Sequence, residues 1–253
     1  YASNTSEAGL EIVRGGVRSI VGEYSISAGR PSPRSLERWR DARALGFKTE
    51  AAALAGSTWE FSTIPYLPAM DLVAEHAFRL KEADVTGVSL SWTLGCYPSP
   101  NLRLYTEMTR DVKSPGEMLD RVAAEVYGAN AVSAVRRAWK TFSDGFREYP
   151  FHMQVVYNAP LHLGAANPLY PKKTGWESTM VGLPYDDLKS WRWRYPENVF
   201  VAQMEKVRDG FAEGCRAWET VVAACDGAAK TQAARELGTY RAATLTFASV
   251  VDQ

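Results

Sequence analysis

The first half of the chain alternates between short apolar runs and stretches with the apolar spacing of helices. The apolar runs at residues 19–24, 48–55 and 85–92 predict three strands, and a helical segment separates each strand from the next. A further helix is predicted near residues 6–15. Strands separated by helices pair in parallel, because each crossover returns the chain to the same end of the sheet. The pattern therefore predicts an α/β unit over residues 1–112.

The second half of the chain has helical spacing, which predicts an all-α domain over residues 113–253. The last two helices are expected at about 197–224 and 228–250. A segment at about 150–196 is rich in Pro, Gly, Asn and aromatic residues and predicts a long loop, which usually serves a site or an interface. The tryptophans of the predicted helices are expected in the core: Trp39, Trp139 and Trp218.

Three parallel strands with helices between them cover one face of a sheet and leave the other face open. In a (β/α)8 barrel that second face points inward and is filled by side chains from eight strands. The α/β unit is therefore predicted to be the closing part of a partial (β/α)8 barrel. A companion chain or a missing N-terminal segment is expected to complete the barrel.

The composition narrows the class of partner. The chain has 253 residues, 29 of them basic and 29 acidic, so no net field attracts nucleic acid or an acidic membrane. No apolar run approaches the ~20 residues that span a bilayer, and the polar opening lacks the features of a signal peptide. We expect a soluble protein that is cytoplasmic, or is periplasmic or secreted after loss of a signal.

Neither a metal nor a cofactor is expected. Cys215 and Cys225 share a predicted helix, whose rise of ~1.5 Å per residue separates them beyond the ~7 Å limit for a disulfide. Cys96 is alone and lacks the paired spacing of a zinc site. Gly15 and Gly16 follow a predicted helix and do not start one, which excludes the phosphate loop of a nucleotide enzyme.

Two glutamates follow predicted strands. Glu60 comes next to Trp59 after the run 48–55, and Glu23 lies at the end of the run 19–24. The active sites of (β/α)8 barrels lie at the carboxyl ends of the strands. Both carboxylates are therefore candidates for catalysis.

Aromatic side chains accompany both glutamates. Their rings could stack on the apolar faces of a sugar, while a carboxylate accepts hydrogen bonds from the sugar hydroxyls. His76 lies within a predicted helix and is expected to be structural, whereas His152 and His162 flank the 150–196 segment and could extend over the pocket. The candidate substrate-binding residues are Trp59, Trp92, Tyr66, Tyr97 and Tyr24.

The residues around Glu60 resemble a motif of barrel glycoside hydrolases that carry a helical domain after the barrel, such as the α-glucuronidases of xylan breakdown. Hexosaminidase-like enzymes share this organisation. In the α-glucuronidases a strand ends in Asn-Gly-x-x-Asp-Phe before a proline, and the similar stretch is Ala55-Gly56-Ser57-Thr58-Trp59-Glu60-Phe61 with Pro65. Shorter similarities are Trp92, Pro100-Asn101-Leu102 and Tyr127-Gly128.

The resemblance implies a glycosidase in which Glu60 takes the place of an aspartate general base in an inverting mechanism. The general acid of the family lies on an earlier strand, outside this chain. Carboxyl groups ~5 Å apart favour retention and ~6.5 to 9.5 Å favour inversion, and the sequence determines neither distance.

Two functions follow as hypotheses. In the first, the chain is a glycoside hydrolase that acts on the end of an oligosaccharide or glycoconjugate, with Glu60 activating water or stabilising the oxocarbenium charge and Glu23 as its partner. The alternative is a carbohydrate-binding or scaffold protein that does not hydrolyse its ligand, since aromatic platforms serve binding equally well. A barrel enzyme of non-sugar chemistry is a more remote third hypothesis.

Overall fold

The computed structural model describes residues 5–23, 25–91, 97–162, 171–179 and 187–253, and these residues are mostly helical. They form nine α-helices: α1 Pro33–Ala44, α2 Met70–Glu82, α3 Pro100–Glu107, α4 Pro115–Tyr127, α5 Val132–Arg147, α6 Met153–Asn158, α7 Leu188–Trp191, α8 Glu197–Ala224 and α9 Gly227–Asp252. They also form four short strands: β1 Leu10–Arg14, β2 Val17–Val21, β3 Glu50–Ala53 and β4 Gly87–Leu90.

Strands β1 and β2 form an antiparallel hairpin. Leu10 and Ile12 are buried while Val13 is exposed, which is the alternation of a strand with one face on a core. Gly15 and Gly16 form the turn with φ of 54° and 78°, values that glycine adopts readily. The helix predicted near residues 6–15 is therefore wrong.

Strands β3 and β4 are parallel, with Glu50 opposite Gly87 and Ala53 opposite Leu90. Helix α2 lies between them in the chain, so the prediction of a parallel pair joined by a helix is confirmed for these two strands. Together they form a single β-α-β unit.

The prediction of a partial (β/α)8 barrel is wrong. Each sheet of the described residues has two strands, and the predicted first strand of the barrel belongs to the antiparallel hairpin. A barrel needs parallel neighbours on both edges of every strand, which one parallel pair cannot supply. The assignment to barrel glycoside hydrolases, whether α-glucuronidase-like or hexosaminidase-like, is overturned with it.

Local sequence explains where two of the helices begin. The hydroxyl oxygen of Ser32 accepts a hydrogen bond from the N–H of Ser35, and Pro33 occupies the first turn of α1. The hydroxyl oxygen of Ser114 caps α4 in the same way, at 3.1 Å from the N–H of Glu117. A serine cap followed by proline satisfies free N–H groups and favours the helical φ angle.

The C-terminal half is a helical bundle whose long members are α5, α8 and α9. Helix α8 has the predicted bounds, and α9 extends the prediction by one or two residues at each end. Trp39, Trp139 and Trp218 are fully buried, which confirms the expectation that the helix tryptophans lie in the core. No described helix is both long and apolar enough to cross a bilayer.

Candidate functional site

Glu60 lies in a turn closed by a bridge between Thr58 and Phe61. Its side chain is fully buried, and its carboxylate accepts hydrogen bonds from the 25–27 segment. The donors are the Ser25 hydroxyl at 2.9 Å, the Ile26 N–H at 2.7 Å, and the hydroxyl and N–H of Ser27, the N–H at 3.2 Å. The carboxylate therefore fixes the 25–27 segment against the loop that follows β3.

Glu7 is a second fully buried carboxylate, and it binds the same segment. It accepts a hydrogen bond from the N–H of Ser25 at 2.9 Å. Burial raises the pKa of Glu7 and of Glu60 to about 7, because water no longer stabilises the charged forms, and the charge of Glu60 adds to the rise at Glu7. Hydrogen bonds to both groups oppose this rise without cancelling it. Both carboxyl groups therefore titrate near neutral pH.

Ser6 connects Glu7 to His76 on α2. The Ser6 hydroxyl lies 2.5 Å from Nε2 of His76 and donates to Glu7 at 3.3 Å. Burial lowers the pKa of His76 to about 4, so the ring is neutral at pH 7. We name six side chains the buried acid cluster: Ser6, Glu7, Ser25, Ser27, Glu60 and His76.

The buried acid cluster resembles a catalytic constellation in its residue types but not in its access to solvent. Ser6, Glu7 and Glu60 are fully buried and His76 is 2% exposed, so a substrate cannot reach them in this arrangement. Sequence reasoning missed Ser6 and Glu7 because they lie at the start of the segment predicted as a helix. The one signal that pointed to the cluster was the placement of Glu60 at the end of a strand.

Glu23 lies beside different neighbours from those of Glu60. The hydroxyl of Tyr157 on α6 donates to the carboxylate of Glu23 at 3.5 Å. Both side chains are partly buried. The ring of Trp59 meets the edge of Tyr157 with a centroid distance of 5.4 Å. Tyr157 thus brings Glu23 and Trp59 together. Tyr24 and Trp92 lie outside the described residues.

His152 does not extend as a free side chain over a pocket. Its ring stacks on Trp193 with centroids 3.4 Å apart, and its Nδ1 accepts the N–H of Gln154 at the start of α6. The side chain of His162 lies outside the described part of the chain.

Tyr66 and Tyr97 lie together in a groove of about 870 Å³, which we name the tyrosine groove. It runs between the loop before α2, the start of α3 and the first half of α9. The two rings are stacked with centroids 6.0 Å apart and planes inclined by 20°. Tyr66 is buried, whereas Tyr97 is 57% exposed, so the second ring presents a face to the groove.

Asn101 at the start of α3 fixes one wall of the tyrosine groove. Its side-chain amide donates to the carbonyl of Ala55 at 2.9 Å and to that of Leu67 at 2.8 Å. These bonds tie α3 to both ends of the loop that carries Glu60 and Tyr66. The buried amide thus satisfies two loop carbonyls and holds the start of α3 against this loop.

Glu236 on α9 provides a carboxylate at the base of the tyrosine groove. Its oxygens accept the hydroxyl of Tyr66 at 2.7 Å, the hydroxyl of Tyr127 at 2.8 Å and the amide of Gln232 at 3.2 Å. Burial raises the pKa of Glu236, and burial together with the Glu236 charge raises the pKa of both tyrosines. Sequence reasoning missed Glu236 because the helical spacing of α9 does not distinguish it from the solvated acids of the other helices.

Two arginines complete the rim of the tyrosine groove. Arg103 on α3 forms an ion pair with Glu125 of α4, and both side chains are half exposed. Arg235 lies next to Glu236 on α9 and also lines the groove. The groove therefore combines the ring of Tyr97, the carboxylate of Glu236, the amide of Gln232 and the two arginines.

Among the described residues, no group of three or more His, Cys, Asp or Glu side chains could hold a metal ion. Comparison of the chain with protein-family models, with curated proteins and with solved structures gave no match.

Proposed function

We propose that the protein binds carbohydrate in the tyrosine groove. The observation that carries this proposal is the ring of Tyr97, which is 57% exposed and stacked on the buried ring of Tyr66. A ring that is already held in place offers a flat apolar face with little further loss of side-chain entropy. The C–H faces of a sugar ring pack well on such a platform.

Polar groups beside the platform supply hydrogen bonds for sugar hydroxyls. A carboxylate offers about four acceptor sites, and the hydroxyls of Tyr66 and Tyr127 and the amide of Gln232 use three of those of Glu236. Glu236 is only 4% exposed, so it holds the Tyr66 hydroxyl and the Gln232 amide in place beside the platform. Arg235 adds donors at the same wall.

Binding suits this groove better than hydrolysis does. Most glycosidases use two carboxyl groups, about 5 to 9.5 Å apart, on either side of the scissile bond. Of the residues that line the groove, Glu236 is the one acid. The groove thus has the platform and the polar contacts of a sugar site without the second carboxylate.

The Tyr97→Ala variant tests this proposal. Loss of the stacking face should weaken binding of a hexasaccharide by about fivefold, since such aromatic contacts contribute about 1 kcal/mol. The measurement is titration calorimetry with cellohexaose, xylohexaose, mannohexaose and chitohexaose. Phe47→Ala is the matched control, because Phe47 is a 62% exposed ring outside the groove. Failure of all four saccharides to bind, or equal affinity of both variants, would reject the proposal.

Hydrolysis of a glycosidic bond by Glu60 with Glu23 is the second candidate function. The observation that favours it is the pKa of about 7 at Glu60, because a carboxyl group that titrates near neutral pH suits general acid or base catalysis. The carboxylate is buried and bonded to the 25–27 segment, so this function requires that segment to move away.

Glu60→Gln and Glu23→Gln variants distinguish hydrolysis from binding. If these residues catalyse hydrolysis, each variant should release reducing ends from the same hexasaccharides at least about 100-fold more slowly than the wild type. Activity of Glu60→Gln within about tenfold of the wild type would discard its catalytic role. A wild-type protein that binds a saccharide and never cleaves it supports binding alone. Circular dichroism of each variant confirms that the fold is intact.

A further inference from the structure

A second cleft lies between the β-hairpin and the bundle, away from the tyrosine groove. It has a volume of about 320 Å³, and we name it the arginine cleft. Its polar side chains are three arginines and two glutamates: Arg14, Arg30, Arg147, Glu11 and Glu75. None of these residues was a candidate from the sequence, because they come from four separate parts of the chain.

The two glutamates of the arginine cleft are already neutralised. Glu75 on α2 pairs with Arg147 at the end of α5, at 2.9 Å. Glu11 on β1 pairs with Arg18 on β2. These pairs use both carboxylates and leave the charges of two arginines unbalanced.

Arg14 has carbonyl partners in place of a carboxylate. One guanidinium N–H₂ group donates to the carbonyl of Val13 at 3.0 Å and the other to that of Ser27 at 3.2 Å. Its Nε is buried, and the described residues provide no hydrogen-bond partner for it. Burial lowers the pKa of Arg14, which expresses the cost of desolvating a cation that lacks a direct counter-charge.

Glu148 and Glu60, whose charges act on Arg14, are committed to other groups. Glu148 accepts hydrogen bonds from Gln203 at 2.8 Å and from Lys206 at 3.0 Å. Glu60 is bonded to the 25–27 segment. Arg30 forms no ion pair with any described residue and is exposed at the rim of the cleft.

We propose that the arginine cleft binds a tetrahedral oxyanion, a phosphate or sulfate group, between Arg14 and Arg30. Guanidinium groups present planar forks of donors that match the oxygens of such anions. The cleft is large enough for the anion with a small attached group. An anion here would supply the missing counter-charge.

The Arg30→Gln variant tests this site. Binding of inorganic phosphate and of phenyl phosphate is measured by ³¹P NMR titration at constant ionic strength. The wild type should bind at least one of them saturably, and Arg30→Gln should weaken binding by about tenfold, as expected for loss of a charge-assisted hydrogen bond. Tighter binding of phenyl phosphate indicates a phosphorylated molecule as ligand, whereas equal binding indicates the free anion; either result supports the site.

Arg38→Gln is the matched control, because it removes one exposed cation from α1, outside the cleft. It should leave the affinity unchanged. Arg14→Lys keeps the charge but removes the fork, so it should also weaken binding while near-ultraviolet circular dichroism shows an intact fold. Binding by the wild type that does not saturate, or equal losses in Arg30→Gln and Arg38→Gln, would overturn the proposal.

Discussion

Replacing Glu60 by Gln is expected to lower the free energy of unfolding by about 3 kcal/mol at pH 5. The carboxylate accepts bonds from two backbone N–H groups and two serine hydroxyls of the 25–27 segment. At pH 5 the folded protein holds Glu60 as the neutral acid, because its pKa is about 7. The acid has two oxygens that can accept and one O–H, whereas the carboxamide has one acceptor oxygen and an NH₂ group that faces donors, so buried N–H groups lose their partner. Urea denaturation followed by circular dichroism measures the loss.

The cost of Glu60→Gln should shrink as the pH rises. The folded-state pKa of Glu60 is about 7, above the ordinary value of 4.5, so the folded protein keeps a proton that the unfolded chain releases. Raising the pH from 4.5 to about 7 therefore favours the unfolded state of the wild type, by up to about 1.4 kcal/mol per pH unit. The Gln variant lacks this contribution. The difference between the two proteins should be largest near pH 5 and smaller at pH 8.

Comparison of the two proteins isolates Glu60, because Glu7 and His76 are present in both. His76 alone would act in the opposite direction, since its pKa is lowered to about 4 and its neutral form gains stability as the pH rises from 4 to 6.5. Glu37→Gln on α1 is the control, because the Glu37 side chain is 65% exposed and should lose less than about 0.5 kcal/mol. A loss at Glu60 that equals the loss at Glu37, or that grows with pH, would contradict the buried position of Glu60.

The sequence pointed to Glu60 as a catalytic candidate, whereas the structure shows a buried carboxylate that is bonded to the 25–27 segment. An acid at the end of an apolar run and before a proline predicted a strand end, and Glu60 does follow β3. The prediction of an accessible pocket failed to foresee that the 25–27 segment covers the carboxylate. Its donors lie 33 to 35 residues away in the chain, and local patterns carry no information about such partners.

The β-hairpin could have been predicted from the two-residue alternation of its first strand. That run was instead interpreted with the spacing of a helix. Leu10 and Ile12 alternate with Glu11 and Val13, and a Gly-Gly pair separates this run from the next apolar run. Two alternating runs joined by Gly-Gly are a strong hairpin signal. Interpreting the first run as a helix made the second run the first strand of a parallel sheet.

The barrel prediction followed from that one error. With the run 19–24 in a hairpin, the parallel strands number two, and one crossover helix joins them. Two parallel strands do not form the three-stranded open face from which a barrel was predicted. Helices α8 and α9 were predictable with nearly correct bounds, because long amphipathic stretches carry the strongest local signal.

The contact between α5 and α8 depends on a pair of facing glycines, which the apolar spacing of the two helices does not reveal. Gly145 of α5 faces Gly210 of α8, and a Cβ on Gly145 would lie 2.8 Å from the Cα of Gly210. A Cβ on Gly210 would in turn clash with the Cα of Gly145. Since the obstructing atoms belong to the main chain, no change of rotamer can relieve the overlap.

Gly210→Ala is therefore expected to lower the free energy of unfolding by about 3 kcal/mol, the upper part of the range for overpacked cores. Alanine normally stabilises a helix relative to glycine by about 1 kcal/mol, so propensity alone predicts the opposite sign. Gly238→Ala on α9 is the control, because its Cβ would meet no atom within 4 Å and should show the propensity gain. Urea denaturation of both variants decides the matter: if Gly210→Ala is as stable as Gly238→Ala, then α5 and α8 do not approach at these glycines.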